Sequence, residues 1–223
     1  MLHQDINQPK DHSTRFGSLW SRQQSNLADG SQVVYEKLLD AYNEPHRVYH
    51  NLTHITSCLK IFDQISELLD DPDAVELAIW FHDVIYKVKD GSDNEQRSAN
   101  LFMTLTESLF NNEFRNTVYE HIMATRHNCS SITNSDTKLM VDIDLSSFGL
   151  PWAKFLNDNR NVRAEMCHIP DDDYNQKQMS FQRSLLSQPS FFKSDYFHEH
   201  YEAQAHRNIA KLFELIKNGD APS

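Results

Sequence analysis

Two adjacent side chains that could hold a metal ion fall inside the most apolar segment of the chain. His82 and Asp83 lie in AVELAIWFHDVIY, residues 74–86, which is apolar on nearly every side. A helix of this composition is buried at the centre of a domain. An isolated charged carboxylate there is very costly unless it is paired or bound to a cation. A metal ion would satisfy both side chains, and a buried His–Asp hydrogen bond without metal is the alternative.

Two further segments carry candidate ligands. HRVYHNLTHI places His50 and His54 four residues apart, on one face of a helix, where two imidazoles can approach one ion. KLMVDIDLSSFG contains Asp142 and Asp144, and residues two apart on a helix point to nearly opposite sides. Lys138, one turn before Asp142, predicts an exposed ion pair, whereas Asp144 has apolar neighbours. Asp144 is therefore the better ligand.

The elements that must position these side chains all have the pattern of helices. The five glycines and the internal prolines fall between long periodic stretches, and no β-rich alternating block occurs. We predict an all-α fold, a single globular bundle of about 8–9 helices over residues 16–223, after a flexible N-terminal extension at 1–15. The predicted helices are 31–43, 49–68, 73–87, 93–110, 112–126, 136–147, 151–165, 174–187 and 195–217.

Composition and net charge indicate which kinds of molecule the protein can bind and where it can function. Lys plus Arg total 21 and Asp plus Glu 32, and the resulting charge of -11 disfavours long nucleic acid but not a small phosphorylated substrate. No apolar run is long enough to span a membrane, and the first residues do not resemble a secretory signal. The three cysteines form no CxxC pair, which favours a reducing cytoplasm. The sequence leaves open whether the protein forms a homodimer.

The ordered set His50, His82–Asp83 and Asp144 resembles the HD superfamily of metal-dependent phosphohydrolases. More closely, YHNLTHI, WFHDVIY, SDNEQRSA, VDIDLSSFG and NVRAE resemble a subfamily known mainly as predicted HD phosphohydrolases of undetermined substrate. These motifs run in order from about residue 47 to 165, and EAQAHRNIAKL extends a weaker match to the C-terminus. The resemblance implies an HD-type helical domain in which the four matched residues bind one divalent metal ion.

The resemblance also implies an activity. Two imidazoles and two carboxylates suit Mn²⁺, Co²⁺, Fe²⁺, Mg²⁺ or Zn²⁺. We expect a hydrolase that cleaves a phosphate ester or anhydride of a small metabolite, including a nucleotide, by a metal-activated water at the Asp83 site. One alternative is a di-iron HD-fold oxygenase, which needs bridging histidines where only His121 and His127 occur. Another is a nucleotide-binding or sensing domain without catalysis.

Other side chains are predicted to assist. Candidate substrate contacts are Arg47, His54, His127 and Arg163. Each has a simpler alternative: a surface ion pair for either arginine, an outer hydrogen bond for His54 and a favourable helix-end charge for His127. Glu95 is a candidate catalytic base, although its Ser-x-x-Glu spacing from Ser92 also fits a helix capping box.

Overall fold

The computed structural model describes residues 9–24, 30–89, 91–127 and 132–221, and this part of the chain contains helices and no strands. The predicted all-α class is confirmed, with eleven α-helices rather than eight or nine. None of them is long and apolar enough to cross a membrane. The helices are α1 (Pro9–Gln23), α2 (Ser31–Tyr42), α3 (Leu52–Ile65), α4 (Pro72–Phe81), α5 (Asn94–Thr106), α6 (Asn112–Ala124), α7 (Ser135–Leu145), α8 (Trp152–Glu165), α9 (Asp171–Leu186), α10 (Asp195–His200) and α11 (Glu202–Lys217).

Helix α4 is the central element, as its apolar composition predicts. Asp71 caps its N-terminus by accepting a hydrogen bond from the Ala74 amide, and Pro72 occupies the first turn. Every side chain from Ala74 to Phe81 is buried, and the helix packs against α3, α6 and α7. It ends at Phe81 rather than at residue 87. His82 and Asp83 therefore lie where the chain leaves the helix.

Helix α1 overlaps the predicted N-terminal extension. Helix α1 begins at Pro9, inside the range assigned to the extension, whereas residues 1–8 lie outside the described part. Three side chains of α1 are fully buried, namely Phe16, Leu19 and Trp20. The Arg15 guanidinium also pairs with the buried Glu76 carboxylate of α4 at 2.8 Å. Contact with the core thus holds a segment whose own composition is largely polar.

The prediction that Asp142 forms an exposed ion pair with Lys138 is wrong. Its side chain is fully buried, and its carboxylate accepts hydrogen bonds from the amides of Lys193 at 2.8 Å and Ser194 at 2.7 Å. The Ser194 hydroxyl donates a further bond at 2.6 Å. The spacing correctly places Asp142 and Asp144 on different faces of α7, but the chain entering α10 covers the second face.

The predicted C-terminal helix is divided at Tyr201. Gly149 approaches that residue so closely that an added Cβ would lie 2.6 Å from the Tyr201 Cβ. From α11, the Asn208 side-chain amide donates to the carbonyls of Phe148 at 2.7 Å and Leu150 at 2.8 Å. These contacts fix the chain immediately after α7, the helix that carries Asp144.

Because the His121 side chain on α6 is buried, we expect the stability of the protein to depend on pH. It is 1% exposed, its Nδ1 lies 3.0 Å from the Thr137 hydroxyl, and its Nε2 has no hydrogen-bond partner among the described residues. Burial lowers the pKa of His121 to about 4. The unfolded chain therefore binds a proton at higher pH than the folded chain, and stability falls as pH decreases from about 6.5 to 4, by about 3 kcal/mol.

Urea unfolding of the wild type and of His121→Gln across this pH range measures the contribution. The variant lacks the titrating group, so we expect a shallower loss of unfolding free energy towards acid pH. Equal slopes in the two proteins would contradict the assignment.

Candidate metal centre

Four side chains from three separate elements converge on one point. The Nε2 atoms of His54 on α3 and His82 after α4 lie 3.2 Å apart. Asp83 Oδ2 lies 3.0 Å from His82 Nε2 and 3.6 Å from His54 Nε2. Asp144 Oδ1 on α7 lies 3.2 Å from His54 Nε2 and 3.4 Å from His82 Nε2. Each of the two imidazole nitrogens therefore lies within 3.6 Å of an oxygen from both carboxylates.

The orientation of His82 fits a metal ligand. Its Nδ1 lies 2.9 Å from the Ile79 carbonyl, so that Nδ1–H donates to the backbone and Nε2 is the nitrogen that faces the cluster. Metal-bound histidines are usually held by such a hydrogen bond from the other ring nitrogen. Because two N–H groups cannot face each other at the His54–His82 separation, at least one of these nitrogens is unprotonated. The donor set therefore fits a divalent cation.

The charges in the cluster are mutually dependent. Burial opposes protonation of His82, but the charges of Asp83 and Asp144 outweigh it and raise the pKa of His82 well above its usual value. Burial likewise opposes ionisation of Asp83 and Asp144, but the charge of His82 outweighs it and lowers the pKa of both aspartates. Without metal, an imidazolium supplies the positive charge that a bound ion would otherwise provide.

His54 occupies the position that the sequence pattern assigned to His50. Asn51 caps α3 by accepting from the Thr53 amide, so the helix begins at Leu52 and His50 lies in the preceding turn. The two histidines therefore do not share a helical face. The structure groups His54, predicted as a substrate contact, with His82 and Asp83 as donors that could hold a metal, whereas His50 is outside the group.

The two predicted substrate-binding arginines are both engaged in structural contacts. The Arg47 side chain is fully buried and donates to the carbonyls of His50 at 3.1 Å, Asp83 at 2.6 Å and Val84 at 3.0 Å. It holds the turn before α3 against the turn that carries Asp83. Arg163 donates to Asp171 at the start of α9 and to carbonyls after α8. It lines neither of the two cavities that reach the cluster.

His127 and Glu95 lie beside the cluster. His127 Nε2 is 2.9 Å from Asp144 Oδ2, and its backbone has a φ of 55°, in the left-handed region. The N-cap residue of α5 is Asp93 rather than Ser92, and it makes no side-chain capping hydrogen bond, so the predicted capping box is not formed. Glu95 instead pairs with Arg126 at 3.7 Å. Burial, and to a lesser degree the nearby charge of Asp83, raise the pKa of Glu95.

Two cavities reach the cluster and meet at Asp144. The larger, of about 390 Å³, is also lined by His54 and Cys58. The smaller, of about 170 Å³, is also lined by His50 and His127. Cys58 Sγ lies 3.7 Å from His54 Nε2, one turn along α3, and forms a second donor group with His54 and Asp144. Sequence analysis did not single out Cys58, because it has the spacing of a core residue.

No protein-family model, no curated protein and no solved structure matches this chain. The assignment of function therefore depends on the identity and geometry of the clustered side chains.

Proposed function

We propose that this protein is a metal-dependent phosphohydrolase of the HD type that cleaves a small phosphate ester or anhydride. The proposal rests on the positions of His54, His82, Asp83 and Asp144. Each imidazole Nε2 lies 3.0–3.6 Å from the other imidazole and from the carboxylate oxygens. Cavities open to solvent reach His54 and Asp144. A purely structural His–Asp pair needs neither a second imidazole facing the first nor access from a cavity.

The proposed ligand set has His54 in the position that the resemblance gives to His50. Mixed nitrogen and oxygen donors suit Mn²⁺, Co²⁺, Fe²⁺, Mg²⁺ or Zn²⁺, and His54, His82, Asp83 and Asp144 would hold the ion. When bound, a divalent ion would lower the pKa of water and polarise a phosphoryl oxygen.

The surrounding residues suit the remaining steps of hydrolysis. Water forms a bond to phosphorus, the phosphorus–oxygen bond to the leaving group breaks, and the leaving oxygen takes its electron pair and a proton. Glu95, which interacts electrostatically with Asp83, is the candidate acid–base residue for that proton transfer. His127, which lines the smaller cavity beside Asp144, is suited to hydrogen-bond a phosphoryl oxygen.

The alternatives have less support. An oxygenase site would need His121 and His127 near a second iron, but His121 is buried against Thr137. A nucleotide-binding domain without turnover has the same ligands, so the two readings differ only in activity.

A phosphatase panel tests the proposal. We expect the wild type with Mn²⁺, Co²⁺ or Mg²⁺ to hydrolyse members of a set containing p-nitrophenyl phosphate, sugar phosphates and nucleotides. Asp83→Asn should reduce the rate by about 10³-fold, because asparagine has nearly the same shape as aspartate but lacks the charge of the ligand. Metal content of both proteins is measured in parallel.

The exposed Asp172→Asn is the matched control and should retain wild-type activity. Equal rates for Asp83→Asn and the wild type would assign the activity to another site or a contaminant. Bound metal without turnover of any substrate would favour the binding domain.

A further inference from the structure

The larger of the two cavities is lined mainly by polar side chains of α3 and α8. On α3, Thr53, Ser57 and Gln64 line it, at a spacing that places them on one side of the helix. On α8, Asn157 and Asn161 line it one turn apart. Helix α3 also carries His54, so the cavity extends from the proposed ligands along this helix to Gln64, about 15 Å further at 1.5 Å per residue.

The side-chain amides of this wall are available to a ligand. Those of Gln64, Asn157 and Asn161 make no hydrogen bond to any described residue, and all three residues are exposed or half-buried. A side-chain amide both donates and accepts hydrogen bonds, and so does a hydroxyl group. The wall therefore matches a ligand that carries several hydroxyl groups.

The charges of the wall favour a neutral group. Apart from Asp144, the charged side chains that line the cavity in the described part of the chain are Lys60, Lys154 and Asp158. Lys154 Nζ lies 2.9 Å from Asp158 Oδ1, so these two charges balance each other. The wall contains no arginine, the side chain that binds a phosphate through two parallel hydrogen bonds. We therefore expect the part of the substrate in this cavity to carry no second phosphate.

The cavity is less suited to a nucleobase, which binds by stacking on an aromatic ring. Tyr49 is the only tyrosine, tryptophan or phenylalanine among the described residues that line it, and its ring packs against His54 with centroids 4.9 Å apart. The smaller cavity includes Phe148 and Phe181, but its volume of about 170 Å³ is below the usual range for small-molecule sites, about 300–1,000 Å³. The larger cavity, of about 390 Å³, is within that range.

Glu165 at the end of α8 fixes this helix against the chain that enters α3. Its Oε1 accepts hydrogen bonds from three consecutive amides, those of Val48 at 2.8 Å, Tyr49 at 2.7 Å and His50 at 2.8 Å. Because this contact joins the two helices that line the cavity, its walls are in position before a ligand binds. A preformed site loses less freedom when it is occupied.

We infer that the larger cavity binds the sugar of a sugar monophosphate, and that Asn157 and Asn161 are specificity-determining residues that hydrogen-bond its hydroxyl groups. This inference rests on the proposed function, which puts the phosphoryl group at the cluster. Water adds to phosphorus, and the phosphorus–oxygen bond to the sugar breaks. The sugar oxygen keeps the electron pair, takes a proton and leaves as a hydroxyl group.

The ratio of kcat/KM for a sugar phosphate to kcat/KM for p-nitrophenyl phosphate tests the inference. The p-nitrophenyl group has no hydroxyl group, so it is the reference substrate. With Mn²⁺, we expect a monophosphate of glucose, fructose, mannose or ribose to have a higher kcat/KM than any nucleoside monophosphate. Asn157→Leu and Asn161→Leu keep the size of the side chain and remove its amide. Each should lower the ratio by about 10-fold, and the double variant by about 10²-fold.

The matched control is Asn116→Leu. Asn116 is exposed on α6 and lines neither cavity, so this variant should keep the wild-type ratio. Side-chain amide NMR of the metal-free wild type is a second measurement that needs no turnover. Titration with unphosphorylated glucose, fructose, mannose or ribose should shift the amide resonances of Asn157 and Asn161 but not that of Asn116.

The outcomes separate the inference from the proposed function. If p-nitrophenyl phosphate is hydrolysed but the double variant keeps the wild-type ratio, or nucleoside monophosphates are the better substrates, the inference fails and the proposed function stands. Shifts at Asn157 and Asn161 without hydrolysis of any phosphate would overturn the proposed function alone. If there is neither hydrolysis nor a shift, both fail.

Discussion

Replacing His54 with alanine should abolish tight metal binding, whereas replacing His50 with asparagine should preserve it. His54 Nε2 lies within 3.2–3.6 Å of donor atoms on His82, Asp83 and Asp144, so its removal takes away a direct ligand. Loss of an outer hydrogen-bond partner commonly weakens metal affinity 10- to 100-fold. We expect the loss of this ligand to cost more than about 10²-fold. Calorimetric titration with Mn²⁺ measures both variants.

The same titration has a predicted pH dependence. The raised pKa of His82 means that a proton occupies the centre in competition with the metal, so Mn²⁺ affinity should rise with pH through that pKa. Circular dichroism of each variant shows that the fold is retained. Full binding by His54→Ala with loss of binding by His50→Asn would reverse the ligand assignment.

Replacing Arg47 with methionine should cause one of the largest losses of stability of any single substitution near the centre. The guanidinium is enclosed and satisfies the carbonyls of His50, Asp83 and Val84. Each carbonyl left without a donor costs about 1–3 kcal/mol. We expect the unfolding free energy to fall by about 3–5 kcal/mol, as when one member of a buried polar set is removed. Urea unfolding measures the change.

Arg22→Met is the matched control. Arg22 is about half exposed and pairs with Asp73 at 2.6 Å, so its removal should cost at most about 1 kcal/mol. If Arg47 instead bound substrate phosphate, Arg47→Met would raise KM and leave stability near that of the control. Lysine at position 47 should rescue only part of the loss, because one ammonium cannot reproduce the planar fork of donors.

Much of the centre could be predicted from the sequence because burial follows from composition. The segment around His82 and Asp83 is apolar on all sides, so it had to lie in the core, and a charged pair there needs compensation. The two-residue spacing of Asp142 and Asp144 on a helix requires that only one of them face the centre. These inferences need only local periodicity, and the structure agrees with each of them.

The tertiary structure alone decided which neighbouring side chains join the centre. The sequence predicts a helix through His50, but residues far along the chain hold the turn before α3: Glu165 accepts from the His50 amide, and the Asp83 carbonyl accepts from Arg47. Those contacts start the helix after His50 and give the central position to His54. Asp142 is buried by the chain entering α10, some fifty residues later. Periodicity reports which face of a helix a residue occupies, whereas the partner that covers that face depends on long-range packing.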